Sequence, residues 1–198
     1  FPTSLQELKV ARYRLIFDEL FLLQLVLMRI KKKVTSSKNS IALKKNKGLI
    51  ELINALPFQL TRAQDTVLKE IIKDLEGVSP MNRLVQGDVG SGKTIVAIIA
   101  LYKCFINGCQ GALMAPTEIL AEQHYTSLKQ LLEPMGVRIG LLTGSLTKTK
   151  KQELLEKIKE GEIDIIIGTH ALIQESVYFH RLALVVTDEQ HRFGVRQR

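Results

Sequence analysis

The chain has 198 residues, 45% of them hydrophobic, which is enough apolar material for one domain of about 150 residues and an appendage. Only two cysteines occur, Cys104 and Cys109, so a disulfide framework and a cysteine zinc site are excluded and a reducing, cytoplasmic setting fits best. The formal net charge is +8, but residues 1–56 carry eleven Lys and Arg against four Asp and Glu, leaving 17 against 16 for the rest.

Leu5 to Lys33 predicts one long helix, with Leu20, Leu23, Leu27 and Ile30 at helical spacing and enough further apolar residues to bury more than one face. Such a helix is expected to be buried, clamped between two bodies. Its most apolar run, Leu20 to Ile30, is shorter than the ~18 to 20 residues a membrane span needs and is interrupted by Gln24 and Arg29, so no membrane is expected as a partner. Asp18 and Glu19 before the run, with no small-residue cleavage site after it, rule against a secretory signal. Residues 34–47 then read as a basic flexible linker, in which Lys38, Lys44, Lys45 and Lys47 alternate with Ser and Asn after Lys31-Lys32-Lys33. Such a stretch is either a solvated connector or a contact to a phosphate backbone. The start at Phe1-Pro2 and the end at Arg198 predict an excised piece of a longer protein.

Residues 48–198 predict the main domain. Leu49 to Ile53 leads to Leu56-Pro57, where the proline ends a helix. Helices are expected at Gln64–Leu75, Thr94–Ile106, Thr117–Leu132 and Lys148–Lys159. Strands are expected at Asn82–Gln86, Ala112–Ala115, Val137–Leu142, Asp164–Ile167 and Leu182–Thr187. Short apolar strands separated by helices mean an α/β domain with a mainly parallel sheet covered on both faces. Cys104 and Cys109, on or just after the second of these helices, read as small buried residues.

Within this order, residues 87–94 spell Gly-Asp-Val-Gly-Ser-Gly-Lys-Thr, the G-x-x-x-x-G-K-[ST] phosphate loop. Gly87, Gly90 and Gly92 let the backbone N–H groups of Asp88, Ser91 and their neighbours turn onto phosphates. The following helix adds its positive end, Lys93 reaches the outer phosphates, and the Thr94 hydroxyl suits Mg²⁺. The implied ligand is ATP or GTP with Mg²⁺. The expected strand, loop and helix stand in the order that this motif needs.

Asp188-Glu189-Gln190-His191 follows the last apolar strand, at the strand end where α/β sheets place their ligands. Asp188 there is expected to hold Mg²⁺, and Glu189 to be the general base that deprotonates an attacking water.

The phosphate loop and Asp188-Glu189-Gln190-His191, with Ala115-Pro116-Thr117-Glu118-Ile119-Leu120, Thr143-Gly144-Ser145 and Gly168-Thr169-His170-Ala171, resemble the ordered motifs of the first RecA-like domain of superfamily 2 helicases. Within that group the chain closely resembles the RecG family of bacterial branched-DNA translocases. Leu56-Pro57-Phe58, Thr61, Gln64, Pro80-Met81-Asn82-Arg83-Leu84, Met114 to His124 and Asp188 to Val195 carry the likeness, and Arg14 to Phe21 resemble that family's segment joining a wedge domain to the motor. Transcription-repair coupling factors have a similar motor but typically differ at Ser91 and at Gln190. A nucleotide-switched DNA-binding module without useful hydrolysis is a further alternative, against which an intact Asp188-Glu189 pair argues.

The resemblance implies that Gln64 reads the adenine edge, which favours ATP, with Phe58 or Leu60 beside the ring; otherwise Gln64 is a polar residue on a helix surface. It implies Thr117, Gly144, Ser145, Thr169 and His170 along a DNA path, and Gln190 and His191 as the coupling between nucleotide and DNA. The implied partner is branched double-stranded DNA, at forks and Holliday junctions. Thr187 departs from the usual aliphatic residue before the acidic pair. The family's wedge domain and its second RecA-like domain with the arginine finger are expected outside this chain, so the 198 residues alone are expected to be nearly inactive.

Overall fold

A computed structural model describes residues 2–35, 41–45 and 48–193 of the chain. The chain divides into two units, one formed by residues 1–40 with Val78–Pro80 and the other by residues 41–77 with 81–198.

Helix α1 (Leu5–Thr35) dominates the first unit. Glu7 caps its start, accepting from the Thr3 backbone N–H at 2.7 Å and from the Thr3 hydroxyl at 2.8 Å. Arg14 pairs with Asp18 one turn on, and Phe17 stacks on Phe21 with ring centroids 5.7 Å apart. The expected burial is not found among the described residues: Leu20, Leu23, Leu27 and Ile30 are all exposed, as are Leu5, Leu15, Phe17 and Phe21. Apolar side chains spread all round a helix state that it can be covered, and the described residues of this unit supply no cover. Among the described residues, no helix is long and apolar enough to cross a membrane.

The second unit is a parallel sheet with helices on both faces. In chain order it contains α2 (Gly48–Ala55), α3 (Arg62–Leu75), α4 (Lys93–Phe105), β1 (Gln110–Met114) and α5 (Glu118–Leu132), then β2 (Ile139–Leu142), α6 (Lys148–Glu160), β3 (Ile165–Gly168) and β4 (Leu182–Thr187). The strands lie in the order β2-β3-β1-β4, and every pairing is parallel. Alternation along β3 splits the core. Ile165 and Ile167 pack with Ile99, Leu101, Leu113 and Leu128, whereas Ile166 packs with Met114, Leu142, Ile158 and Leu172. Cys104 and Cys109 are buried, and burial pushes the Cys104 thiol up to about 12 and raises that of Cys109, so both are inert packing residues.

Two boundary expectations need correction. Residues 41–45 are no flexible linker: Leu43 is 3% exposed, its N–H donates to the Leu75 carbonyl at 2.9 Å, and the Lys44 N–H donates to Asn107 Oδ1 at 2.7 Å. One buried leucine and two hydrogen bonds hold this part of the basic stretch to the main unit; residues 36–40, 46 and 47 lie outside the described residues. The strand expected at Asn82–Gln86 is also absent, because residues 81–88 have no regular structure. The physical reason is Arg83, whose guanidinium donates to Asp74 Oδ2 from Nε at 2.9 Å and from Nη2 at 2.7 Å and also grips Glu70. Two N–H donors on one Asp74 oxygen, with Glu70 beside it, tie this segment to α3 instead of to a strand edge. Among the described residues β4 is therefore paired only on its β1 side, and Val185 is exposed.

Candidate active site

Parallel strands deliver their carboxyl ends to one edge, and the chemistry-bearing residues gather there. Thr117 follows β1, Gly144 and Ser145 follow β2, Thr169 and His170 follow β3, and Asp188 and Glu189 follow β4. Strand order sets Asp188 and Glu189 at one end of the row and the turn after β2 at the other.

At the β4 end lies a cavity of about 1060 Å³, walled by residues 81–89, Lys93, Thr94, His124 and Leu184 to Gln190. Gly90 (φ 80°) and Gly92 (φ 77°) take left-handed conformations that turn the phosphate loop into α4, which a side chain would strain. Lys93 Nζ donates to the carbonyls of Gly87 and Asp88 at 2.7 and 2.8 Å, closing the loop on itself. Thr94 is exposed at the first turn of the same helix.

Gln64 sits behind this loop. It completes a capping box on α3: the Thr61 hydroxyl accepts from the Gln64 N–H, Gln64 Oε1 accepts from the Thr61 N–H at 2.9 Å, and Gln64 Nε2 donates to the Ser91 carbonyl at 2.8 Å. The amide thus joins the helix cap to the phosphate loop. Phe58 is exposed, as a ring available for stacking must be.

Asp188 is the most closely held carboxylate of the cavity. Its Oδ2 accepts from His124 Nε2 at 2.8 Å, and its Oδ1 from the Glu189 backbone N–H at 2.9 Å. The His124 hydrogen bond first, then the charges of His124 and Lys93 and the Glu189 N–H, hold the Asp188 carboxyl below the usual carboxylate range against partial burial. Because an ionised carboxylate only accepts, the imidazole proton lies on Nε2. The donor set fits Mg²⁺: an ionised carboxylate and a hydroxyl are hard oxygen ligands, and both line one cavity. Glu189 is the one described non-glycine residue with positive φ, at 50°. Gln190 is exposed just after it, and the His191 side chain lies outside the described residues.

Along the rest of the row, Thr117, Gly144, Ser145 and His170 are exposed. Thr117 caps α5 by accepting from the Leu120 N–H at 3.3 Å. Thr169 differs: it is 2% exposed, and its hydroxyl has no hydrogen-bond partner, so it is not presented on this surface.

Sequence reasoning missed two residues. One is His124, which strand order alone brings to Asp188, because β1, which precedes α5, lies beside β4. The other is Glu118, whose Oε1 accepts the N–H groups of Gly144 at 2.8 Å and Ser145 at 3.2 Å. Hydrogen bonds to a charged acceptor contribute about 1.5–3 kcal/mol, less when partly solvated. Glu118→Ala is therefore expected to destabilise the 143–145 turn by about 1 kcal/mol, read as faster hydrogen exchange at the Gly144 and Ser145 amides. Glu118→Gln, which keeps Oε1, retains most of the protection.

A phosphate loop entering a helix, an Asp-Glu pair closing the neighbouring strand, and a parallel sheet with helices on both faces together define a RecA-like P-loop nucleotide-binding domain. The DEAD/DEAH box helicase model matches residues 61–198, and the chain belongs to that family. It is 52% identical over 198 residues to the ATP-dependent DNA helicase RecG of Bacillus subtilis (strain 168), and 51% identical over 185 residues to that of Aquifex aeolicus (strain VF5). All of this chain is covered in the first match and 93% in the second, but it spans only 29% and 23% of those proteins. Among solved structures, a RecG bound to a three-way DNA junction superposes with a TM-score of 0.87 at 45% identity, covering 98% of this chain and 27% of that one. A hypothetical ATP-dependent RNA helicase from Sulfolobus tokodaii shares the fold at TM-score 0.55 and 18% identity, over 74% of this chain and 42% of that one.

Proposed function

We propose that this chain is the first motor domain of an ATP-dependent DNA helicase that remodels branched DNA, such as stalled forks and recombination junctions, in the cytoplasm. The observation that carries the reading is the joint lining of one cavity by Lys93, Thr94, Asp188 and Glu189 at the carboxyl edge of the sheet. The 45% identity to a RecG bound to a three-way junction supports DNA as the polymer.

In this reading the phosphate loop cradles the triphosphate, and Lys93 leaves the carbonyls of Gly87 and Asp88 for the outer phosphates. Gln64 gives its amide to the adenine edge, and Phe58 stacks on the base. Thr94 and Asp188 would hold Mg²⁺, whose charge would offset that developing on the phosphates. Glu189 accepts a proton from the attacking water. Gln190 and His191, next in sequence, relay the state of the site to the DNA surface. That surface is Thr117, Gly144, Ser145 and His170, whose hydroxyls and imidazole suit phosphates without reading sequence, while Glu118 holds the Gly144 and Ser145 N–H groups in the turn. Thr169 joins it only if the turn after β3 opens. The second RecA-like domain and the wedge domain are the intramolecular partners, and the arginine finger comes from the former.

A titration with a fluorescent ATP analogue in Mg²⁺ tests the nucleotide site. Lys93→Ala removes a charge-assisted contact of about 1.5–3 kcal/mol, so binding is expected to weaken by about 10- to 100-fold. Affinity unchanged by Lys93→Ala would overturn the reading.

A further inference from the structure

We propose that His124 is a positioning residue for nucleotide hydrolysis, fixing the orientation of the Asp188 carboxylate so that it meets Mg²⁺. The inference rests on the ATP reading of the cavity. Asp188 is tethered at both oxygens, by His124 Nε2 at Oδ2 and by the Glu189 N–H at Oδ1, which leaves one lone pair on each oxygen for another ligand. The backbone tether belongs to the next residue and moves with Asp188. Among the described residues, His124 is the one hydrogen-bond partner that holds the carboxylate from a separate element. Its side chain is 12% exposed, and it stands on α5, a helix seated in the core through Ala121, Leu128 and Leu132. A part-buried side chain on a helix seated in the core, donating to a carboxylate that lines the same cavity as Lys93 and Thr94, is placed to orient a metal ligand rather than to touch substrate.

The test uses the intact protein and a fluorescent ATP analogue, titrated in Mg²⁺ and again in EDTA. The variants are His124→Leu, which fills the space without an N–H, and His124→Gln, which can still donate one. Outer-sphere partners of metal ligands are typically worth 10- to 100-fold in metal affinity. His124→Leu is therefore expected to weaken binding in Mg²⁺ about tenfold or more and to leave binding in EDTA unchanged, while His124→Gln recovers part of the loss. Mn²⁺ paramagnetic resonance of the nucleotide complex is expected to show the same loss of bound metal in His124→Leu. Equal weakening with and without metal, or no weakening in either, overturns the inference, as does a Gln variant no better than Leu. An unmodified protein that fails to bind the analogue overturns the ATP reading itself.

Discussion

Glu189→Gln in the intact protein is expected to lower ATP turnover by about 10²- to 10⁴-fold, the usual contribution of a positioned general base, with Mg²⁺–ATP affinity changed by no more than about threefold. The argument begins at the backbone. Glu189 adopts φ 50°, ψ 46°, a left-handed conformation that costs a residue with a Cβ about 1–2 kcal/mol, and its N–H is tied to Asp188 Oδ1 at 2.9 Å. Strain of this kind is kept where it aims a side chain, and here it follows immediately on the carboxylate assigned to the metal. Gln has the size and hydrogen-bonding reach of Glu but cannot take a proton from water, so the variant separates basicity from shape. Glu189→Gly supplies the complement: it relieves the left-handed strain, and the protein is expected to be more stable yet equally slow. Steady-state hydrolysis with junction DNA, alongside nucleotide binding, measures both. Turnover within fivefold of the unmodified enzyme in Glu189→Gln would remove Glu189 as the base.

What could be read from the residues was whatever local pattern decides. Apolar periodicity placed α3 to α6 and the four observed strands to within about two residues, because each buries a face that its own spacing defines. The phosphate loop was legible because its function is encoded in backbone freedom at Gly90 and Gly92, and the sequence states glycine directly. Contacts between distant segments escaped. Arg83 draws its segment to Asp74 and Glu70, and no window of five residues around Asn82 contains those carboxylates. Leu43 is anchored by burial and by the Leu75 carbonyl, although it stands among lysines that read as solvated. His124 and Glu118 lie on a helix whose apolar stripe was plain, but their partners sit 64 and 26 residues away, across a strand order that periodicity does not contain. Thr169 shows the converse: a motif named it as a surface contact, and packing put its hydroxyl inside.

A second large effect is expected far from the phosphates. Glu76→Ala should destabilise the main unit by about 3 kcal/mol, the low end for breaking a buried ion pair. Lys103, in the last turn of α4, is 2% exposed, and its Nζ donates to Glu76 Oε1 at 2.7 Å; Glu76, at the end of α3, is 17% exposed. An ammonium so enclosed loses most of its hydration, and the carboxylate is its main compensation. Removing the carboxylate leaves the charge buried, whereas removing both charges need cost little if the space is refilled with apolar atoms. The consequence reaches the site because α4 is a single rod from Lys93 to Phe105, and this pair locks its far end to α3, the helix whose capping box holds Gln64 against Ser91. Loosening one end frees the other. Hydrogen exchange at the α4 amides is expected to accelerate about a hundredfold in Glu76→Ala, the exchange equivalent of about 3 kcal/mol when opening is subglobal. Glu76→Leu combined with Lys103→Met should return most of the protection. If the double variant exchanges as fast as Glu76→Ala, the loss comes from packing at the helix ends rather than from a stranded charge.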